Sequence, residues 1–204
     1  MNDHGNHDQH EFPQNIEQRQ QHYAQYFGGL TEQVLHCTDD RRPHVDLYQF
    51  PPHEDHNYWT LMTGGMSDLK QPHAPEEISG RTELILYVQQ PDDWAYQLLL
   101  DLASYPFASP LHLDWFHTIE GAPNTSIVGE PSQLQHLFLL PPYFEEQSLS
   151  ELKIAGEEVR FLWVFPITQN ELNYKLKNGS EKLDELFAEQ NLPAVITPSR
   201  TSVV

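Results

Sequence analysis

An α+β fold, with a mostly antiparallel mixed sheet and helices packed on it, is what the sequence predicts. Three observations carry that expectation. ELILYV (residues 83–88) and VRFLWVF (residues 159–165) are apolar enough to be strands covered on both faces. Shorter strand-like runs stand beside them, punctuated by Pro-Pro and Gly-Gly pairs. Helical spacing appears near the start, in the middle and near the end, so strands come in runs between helices.

Taken in order, residues 1–14 are polar and irregular and are expected as a tail. His4, His7 and His10 recur there at a spacing of three, which suits a metal only on a helix, and no apolar stripe supports one. Residues 16–30 form a helix, with Ile16, Tyr23, Phe27 and Leu30 near one face, several glutamines facing out and Gly28-Gly29 as the stop. In a strand over 45–50, Val45, Leu47 and Gln49 alternate with Asp46, Tyr48 and Phe50, and Pro51-Pro52 ends it. A second strand, 58–63, turns Tyr58, Thr60 and Met62 to one face and Trp59 and Leu61 to the other. It runs into Gly64-Gly65-Met66-Ser67-Asp68, read as a structural turn in which Asp68 pins the backbone locally.

After the strand at 83–88, Pro91-Asp92-Asp93 opens a helix that either aspartate can cap. Trp94, Leu98, Leu102 and Tyr105 recur at helical spacing before Pro106. Residues 110–125 are loop-rich, and 134–140 is a strand ended by Pro141-Pro142. Ala155-Gly156-Glu157-Glu158 reads as a hairpin turn leading into the strand at 159–165. Thr168 and Glu171 have capping-box spacing for a helix reaching Leu176, which Asn178-Gly179 breaks and Ser180 restarts. The expected organisation is the tail 1–14, one domain over 15–192, and a second tail over 193–204.

Eleven basic residues face thirty acidic ones in 204 residues, a formal charge of −19. That balance repels phosphate backbones and anionic membrane surfaces, so nucleic-acid and membrane partners are not expected, whereas a basic protein would be attracted. The lone cysteine, Cys37, forms no intrachain disulfide, and the opening residues lack the basic and apolar regions of a secretion signal. A cytoplasmic location is the expectation.

Catalytic patterns fare poorly. The glycine pair at 64–65 lacks phosphate-loop spacing, and Pro72 follows too soon for a helix to grow. Ser67 lacks the following glycine of a nucleophile elbow, since Leu69 stands there. His53-Glu54-Asp55-His56 and His112 to His117 are local His/carboxylate clusters without a recognised ligand spacing. A metal-assisted hydrolase built on His112, Asp114 and His117 is the enzyme alternative. No catalytic residue, metal site or cofactor is assigned, and the exposed edge of an antiparallel sheet is the remaining route to function.

The landmarks YWTLMTGGMSD, ELILYV, WAYQLLLDLASYPF, HTI, LQHLFLLPP, VRFLWVFPITQNEL and NGSEKLDELF occur in an order and with gaps that resemble the suppressor-of-fused (SUFU) domain family. The resemblance covers roughly residues 17–190. It implies a protein-binding domain rather than an enzyme. Animal members grip a short peptide of a transcription factor as an added strand between two domains, and this chain resembles the first of those. Short bacterial members look like immunity proteins that neutralise toxins, often nucleases; a basic toxin suits the charge of this chain. The resemblance carries Tyr105 into the peptide groove and places His117 in the following loop. The family has an acidic residue before that histidine; Phe116 stands there here, and Asp114 is the nearest acid. Tyr105, Asp114 and His117 are the expected binding residues. A peptide-binding adaptor acting by β-strand addition is the second non-enzymatic reading.

Overall fold

The computed structural model describes residues 8–28, 34–37, 43–53 and 56–204, with side chains from Pro13 onward. Its centre is a seven-stranded mixed sheet. The strands are β1 (Val34–Leu35), β2 (Asp46–Phe50), β3 (Trp59–Gly64), β4 (Thr82–Val88), β5 (Thr118–Glu120), β6 (Leu134–Leu140) and β9 (Arg160–Thr168), in spatial order β1-β2-β3-β4-β9-β6-β5. Every pairing is antiparallel except β4 with β9. Because β4 and β9 are parallel, the chain between them must cross over, and residues 89–159 are that crossover. A separate two-stranded hairpin, β7 (Lys153–Ile154) with β8 (Glu157–Glu158), turns through Ala155 and Gly156 alone, both at positive φ (50° and 80°). The turn is therefore two residues long rather than four, because only these two adopt the left-handed conformation a tight hairpin needs.

Helices cover both faces. On one lie α1 (Asp8–Tyr26), α3 (Gln169–Asn178) and α4 (Ser180–Glu189), around a core holding Tyr23, Met62, Ile85, Phe138, Phe161, Leu172 and Phe187. On the other lies α2 (Asp93–Ala108), over Leu47, Leu61, Leu84, Leu99, Leu137 and Val164. β4 is buried along its whole length and β9 nearly so, as doubly covered strands must be. The face assignment of β3 holds: Met62 and half-buried Tyr58 belong to the first core, Leu61 and Trp59 to the second.

Several expectations need correction. α1 starts at Asp8, inside the stretch expected as a tail; His4 and His7 lie outside the described residues, as does Leu30, and of His10 only the backbone is described. Its buried stripe is Asn15, Arg19 and Tyr23, while Ile16 is exposed. The apolar periodicity holds at Tyr23, which is buried, and at Phe27, which packs against the first core, but fails at Ile16, because polar Asn15 and Arg19 take the inward positions before Tyr23. α2 continues through Pro106, which is buried, and its inward stripe is Ala95, Leu99, Leu102 and Ala103 rather than the larger Trp94, Leu98 and Tyr105, which are half-buried. The two alanines of that stripe let the helix approach the sheet closely. Asp92 sits at the cap position of α2 without a side-chain cap bond. Asp68 bonds to distant Arg19, not to the backbone of its own turn.

The capping box forms as expected: Thr168 Oγ1 accepts the Glu171 N–H, and Glu171 Oε2 accepts the Thr168 N–H. Glu171 is fully buried and also takes both Nη atoms of Arg200 and the Val203 N–H. That ties residues 193–204, expected as a tail, to the start of α3, with Ala194 buried against the first core.

Candidate functional site

The glycine-rich turn is the base on which the candidate site stands. A Cβ on Gly64 would lie 2.3 Å from the Tyr48 ring, and one on Gly65, at φ 122°, would lie 2.3 Å from the His44 carbonyl oxygen. Only glycine fits either position. The resulting turn aims the N–H groups of Gly65 and Ser67 at one carboxylate oxygen, Glu83 Oε1, at 3.0 and 3.1 Å. The Ser67 hydroxyl donates to the same oxygen at 2.6 Å, and Thr63 Oγ1 donates to Glu83 Oε2 at 2.6 Å. The turn does cradle an anion, but the anion is the protein's own.

Arg19 balances this charge: its Nη1 lies 2.9 Å from Asp68 Oδ1 and 3.8 Å from Glu83 Oε1. Burial disfavours its positive charge most strongly, yet Glu83 and Asp68 together outweigh that, and its pKa is raised. Arg81 Nη1 closes the turn from outside by donating to the carbonyl oxygens of Ser67 and Asp68. Ser67 is wholly buried and engaged, so it is a structural hydroxyl and not an accessible nucleophile. Gly64, Gly65, Met66, Ser67 and Asp68 thus act together as a rigid corner.

Gln71 leads from that corner to the loop before β5. Its Oε1 accepts the Leu113 N–H at 2.6 Å, and its Nε2 donates to the Leu113 carbonyl at 3.0 Å and to Thr82 Oγ1 at 3.1 Å. The side-chain amide thereby replaces a strand neighbour for Leu113. Asp114 accepts the Trp115 N–H and pairs with Arg160 at the head of β9, while the Arg160 guanidinium lies 4.4 Å above the Trp115 ring. Trp115 Nε1 in turn donates to the Phe161 carbonyl at 2.8 Å.

Phe116 then takes a positive φ of 66°, a strained choice for an aromatic residue. It is held there by its N–H to the Leu139 carbonyl, 2.6 Å, and by Ser180 Oγ donating to its own carbonyl, 3.2 Å. His117 Nδ1 lies 3.1 Å from the His112 carbonyl oxygen; a carbonyl only accepts, so Nδ1 carries the hydrogen. The two imidazoles meet edge to face at 4.8 Å, and burial, then His117, lowers the pKa of His112.

β5 is the last strand of the sheet. The His117 carbonyl accepts the Leu139 N–H, so His117 faces β6. Alternation along an antiparallel strand then turns the backbone groups of Thr118 and Glu120 outward. On the α3 side, Lys175 Nζ reaches Thr118 Oγ1 at 3.3 Å. On the α2 side, Ile119 and Tyr105 share an apolar cleft of about 180 Å³ with Leu98, Leu102, Ile127 and Leu137.

The structure brings Asp114 and His117 into one loop, joined by the His117 N–H to the Asp114 carbonyl. It puts Tyr105 in the cleft beside the strand that this loop starts. Asp114 is engaged with Arg160, and among the described residues no three His, Cys, Asp or Glu side chains are grouped to hold a metal. Sequence reasoning missed Glu83, Arg19, Gln71 and Arg160. Only Glu83 carried a signal: a carboxylate heading an otherwise doubly covered strand needs buried donors.

Residues 41–201 match the family model described as Suppressor of fused protein (SUFU). Immunity protein YqcF of Bacillus subtilis (strain 168) is 20% identical over 181 residues, covering 87% of this chain and 91% of that protein. Among solved structures, a putative SUFU homologue of Neisseria gonorrhoeae FA 1090 superposes with a TM-score of 0.76 at 19% identity, covering 94% of this chain and 98% of the other. The Sufu–Fu complex gives 0.70 at 19% identity, covering 93% and 92%. Drosophila Suppressor of Fused gives 0.62 at 18% identity, covering 92% of this chain and 50% of that one. No described helix is long and apolar enough to cross a membrane.

Proposed function

The chain belongs to the suppressor of fused family, and from that premise we propose that it is a non-enzymatic immunity protein, acting in the cytoplasm, which binds and neutralises a basic toxin, nuclease-type in charge. The observation that carries this reading is the β5 edge: outward backbone groups at Thr118 and Glu120 beside an apolar cleft at Tyr105 and Ile119. An extended segment of the partner adds to that edge through main-chain hydrogen bonds and seats an alternate side chain in the cleft. His117 and Phe116 set where the edge begins, and Asp114 holds their loop to β9 through Arg160. The charge of −19 draws a basic partner and raises its rate of encounter. The name of the Bacillus relative supports the immunity role, and the charge supports the basic partner.

The reading is tested by expressing the toxin that the chain captures, with and without the chain, and scoring growth and complex formation. Rescue with a stable stoichiometric complex is expected. Growth arrest unrelieved by the wild-type chain overturns the immunity role; a complex with an endogenous non-toxic peptide points to the adaptor reading instead.

A further inference from the structure

A second concavity lies on the opposite face of the sheet from the Tyr105 cleft. A cavity of about 590 Å³ opens where β6 and β9 meet α4 and the residues after it. That lies within the range of sites that seat a ligand or a projecting side chain, on the order of 300–1,000 Å³. Its walls are rings. Trp163, Phe165 and Phe187 are buried and form the floor; Tyr143 and Phe144, after Pro141-Pro142, are about half exposed, at 53% and 46%. Phe144 stands edge-on to Trp163 at 5.3 Å, and Phe165 meets Phe187 at 5.0 Å.

Among the described residues, one charged side chain lines this space, Asp184 of α4. The Tyr143 hydroxyl donates to its Oδ2 at 2.8 Å, which holds the carboxylate against the aromatic rim. Glu181 lies one turn earlier on the same stripe of α4, exposed. Ring faces carry negative charge density and attract cations, and the aliphatic stem of a long cationic side chain gains from leaving water against such walls. An anion is repelled by Asp184, Glu181 and the overall charge of −19.

We propose that this cavity receives a lysine or arginine side chain of the basic protein partner, its stem against Phe144, Phe187 and Leu192 and its cation at Asp184. The assignment rests on the proposed function for the partner's basic character, but not on strand pairing at β5.

The test is an NMR titration of the full chain, following the Trp163 indole N–H. The probes are glycine-flanked pentapeptides with a central lysine, arginine or norleucine and blocked ends. The lysine or arginine peptide is expected to shift the resonance saturably and the norleucine peptide to leave it in place. Asp184→Asn, which keeps the shape and removes the carboxylate charge, is expected to weaken binding about tenfold, while Glu76→Gln, on an exposed loop that does not line the cavity, leaves it unchanged. No shift with either cationic peptide, an equal shift with norleucine, or equal binding by the Asp184 and Glu76 variants overturns the proposal. Thr118→Pro at the β5 edge separates the two readings. A lost toxin complex with intact peptide binding in this variant supports both readings; a retained toxin complex in it overturns strand pairing at β5, and a wild-type chain that holds the toxin but none of the peptides removes this cavity alone.

Discussion

The Ser67 hydroxyl donates to Glu83 Oε1 at 2.6 Å, with both side chains wholly buried. Sixteen residues apart in sequence, they join the glycine-rich corner to the head of β4, and Gln71 carries that rigidity on to the loop before β5. The most conspicuous motif of the sequence is therefore a foundation for the candidate site and stands outside it.

Glu83→Gln tests that foundation. It removes the charge that Arg19 is buried against and turns an acceptor oxygen into a donor facing N–H groups. Removing one partner of a buried charge pair costs about 3–5 kcal/mol. Urea unfolding is expected to show a loss of that size, whereas Ser67→Ala, which removes one hydroxyl, costs about 1–3 kcal/mol.

Gly65→Ala and Gly156→Ala form a second comparison. Both glycines have positive φ, but a Cβ at Gly65 meets the His44 carbonyl oxygen at 2.3 Å, and at Gly156 it meets nothing within 4 Å. Gly156→Ala is expected to cost about 1–2 kcal/mol from backbone conformation alone. Gly65→Ala should cost more in the same denaturation assay, because the backbone of residues 44–45 must also shift.

The start of α3 yields a third. Thr168→Ala removes one half of the capping box and is expected to cost about 1 kcal/mol. Arg200→Ala leaves Glu171 buried without its cation and should cost about 3–5 kcal/mol by thermal or urea unfolding.

His112 sets a pH dependence. Burial, and then His117, lowers its pKa in the folded chain, with Asp114 opposing. A depressed folded pKa gives stability that is present above the unfolded value, about 6.5, and is lost as pH falls through the folded value. His56, lowered first by burial and then by His53, acts in the same direction. The unfolding midpoint is expected to drop as pH is taken from neutral into the mildly acidic range, and His112→Gln should flatten that drop.

Much of the fold was legible because burial follows period. β4 and β9 announced themselves as continuous apolar runs, and the Thr168–Glu171 box fixed the start of α3 to the residue. Polar burial was not legible. Arg19 sits among glutamines one turn before Tyr23, and nothing local reveals that Glu83 and Asp68 await it. The large side chains of α2 also misled, since Ala95 and Ala103 take the inner face and leave Tyr105 half-buried in the cleft. Asp114 and His117 could be singled out by the family resemblance, but their placement depends on Arg160 and on the His112 carbonyl. Those contacts arise only when β9 and the loop are folded together.

The central claim is that a basic partner pairs with the β5 edge. Calorimetric titration of the captured toxin into wild-type chain and into Thr118→Pro tests it most directly. Thr118 turns its N–H outward, so proline there removes a donor to the partner while sparing the β6 ladder. The account predicts a one-to-one complex for the wild type, weakened by salt, and loss of binding by the variant at near-unchanged unfolding temperature. Undiminished binding by a folded Thr118→Pro chain would contradict it.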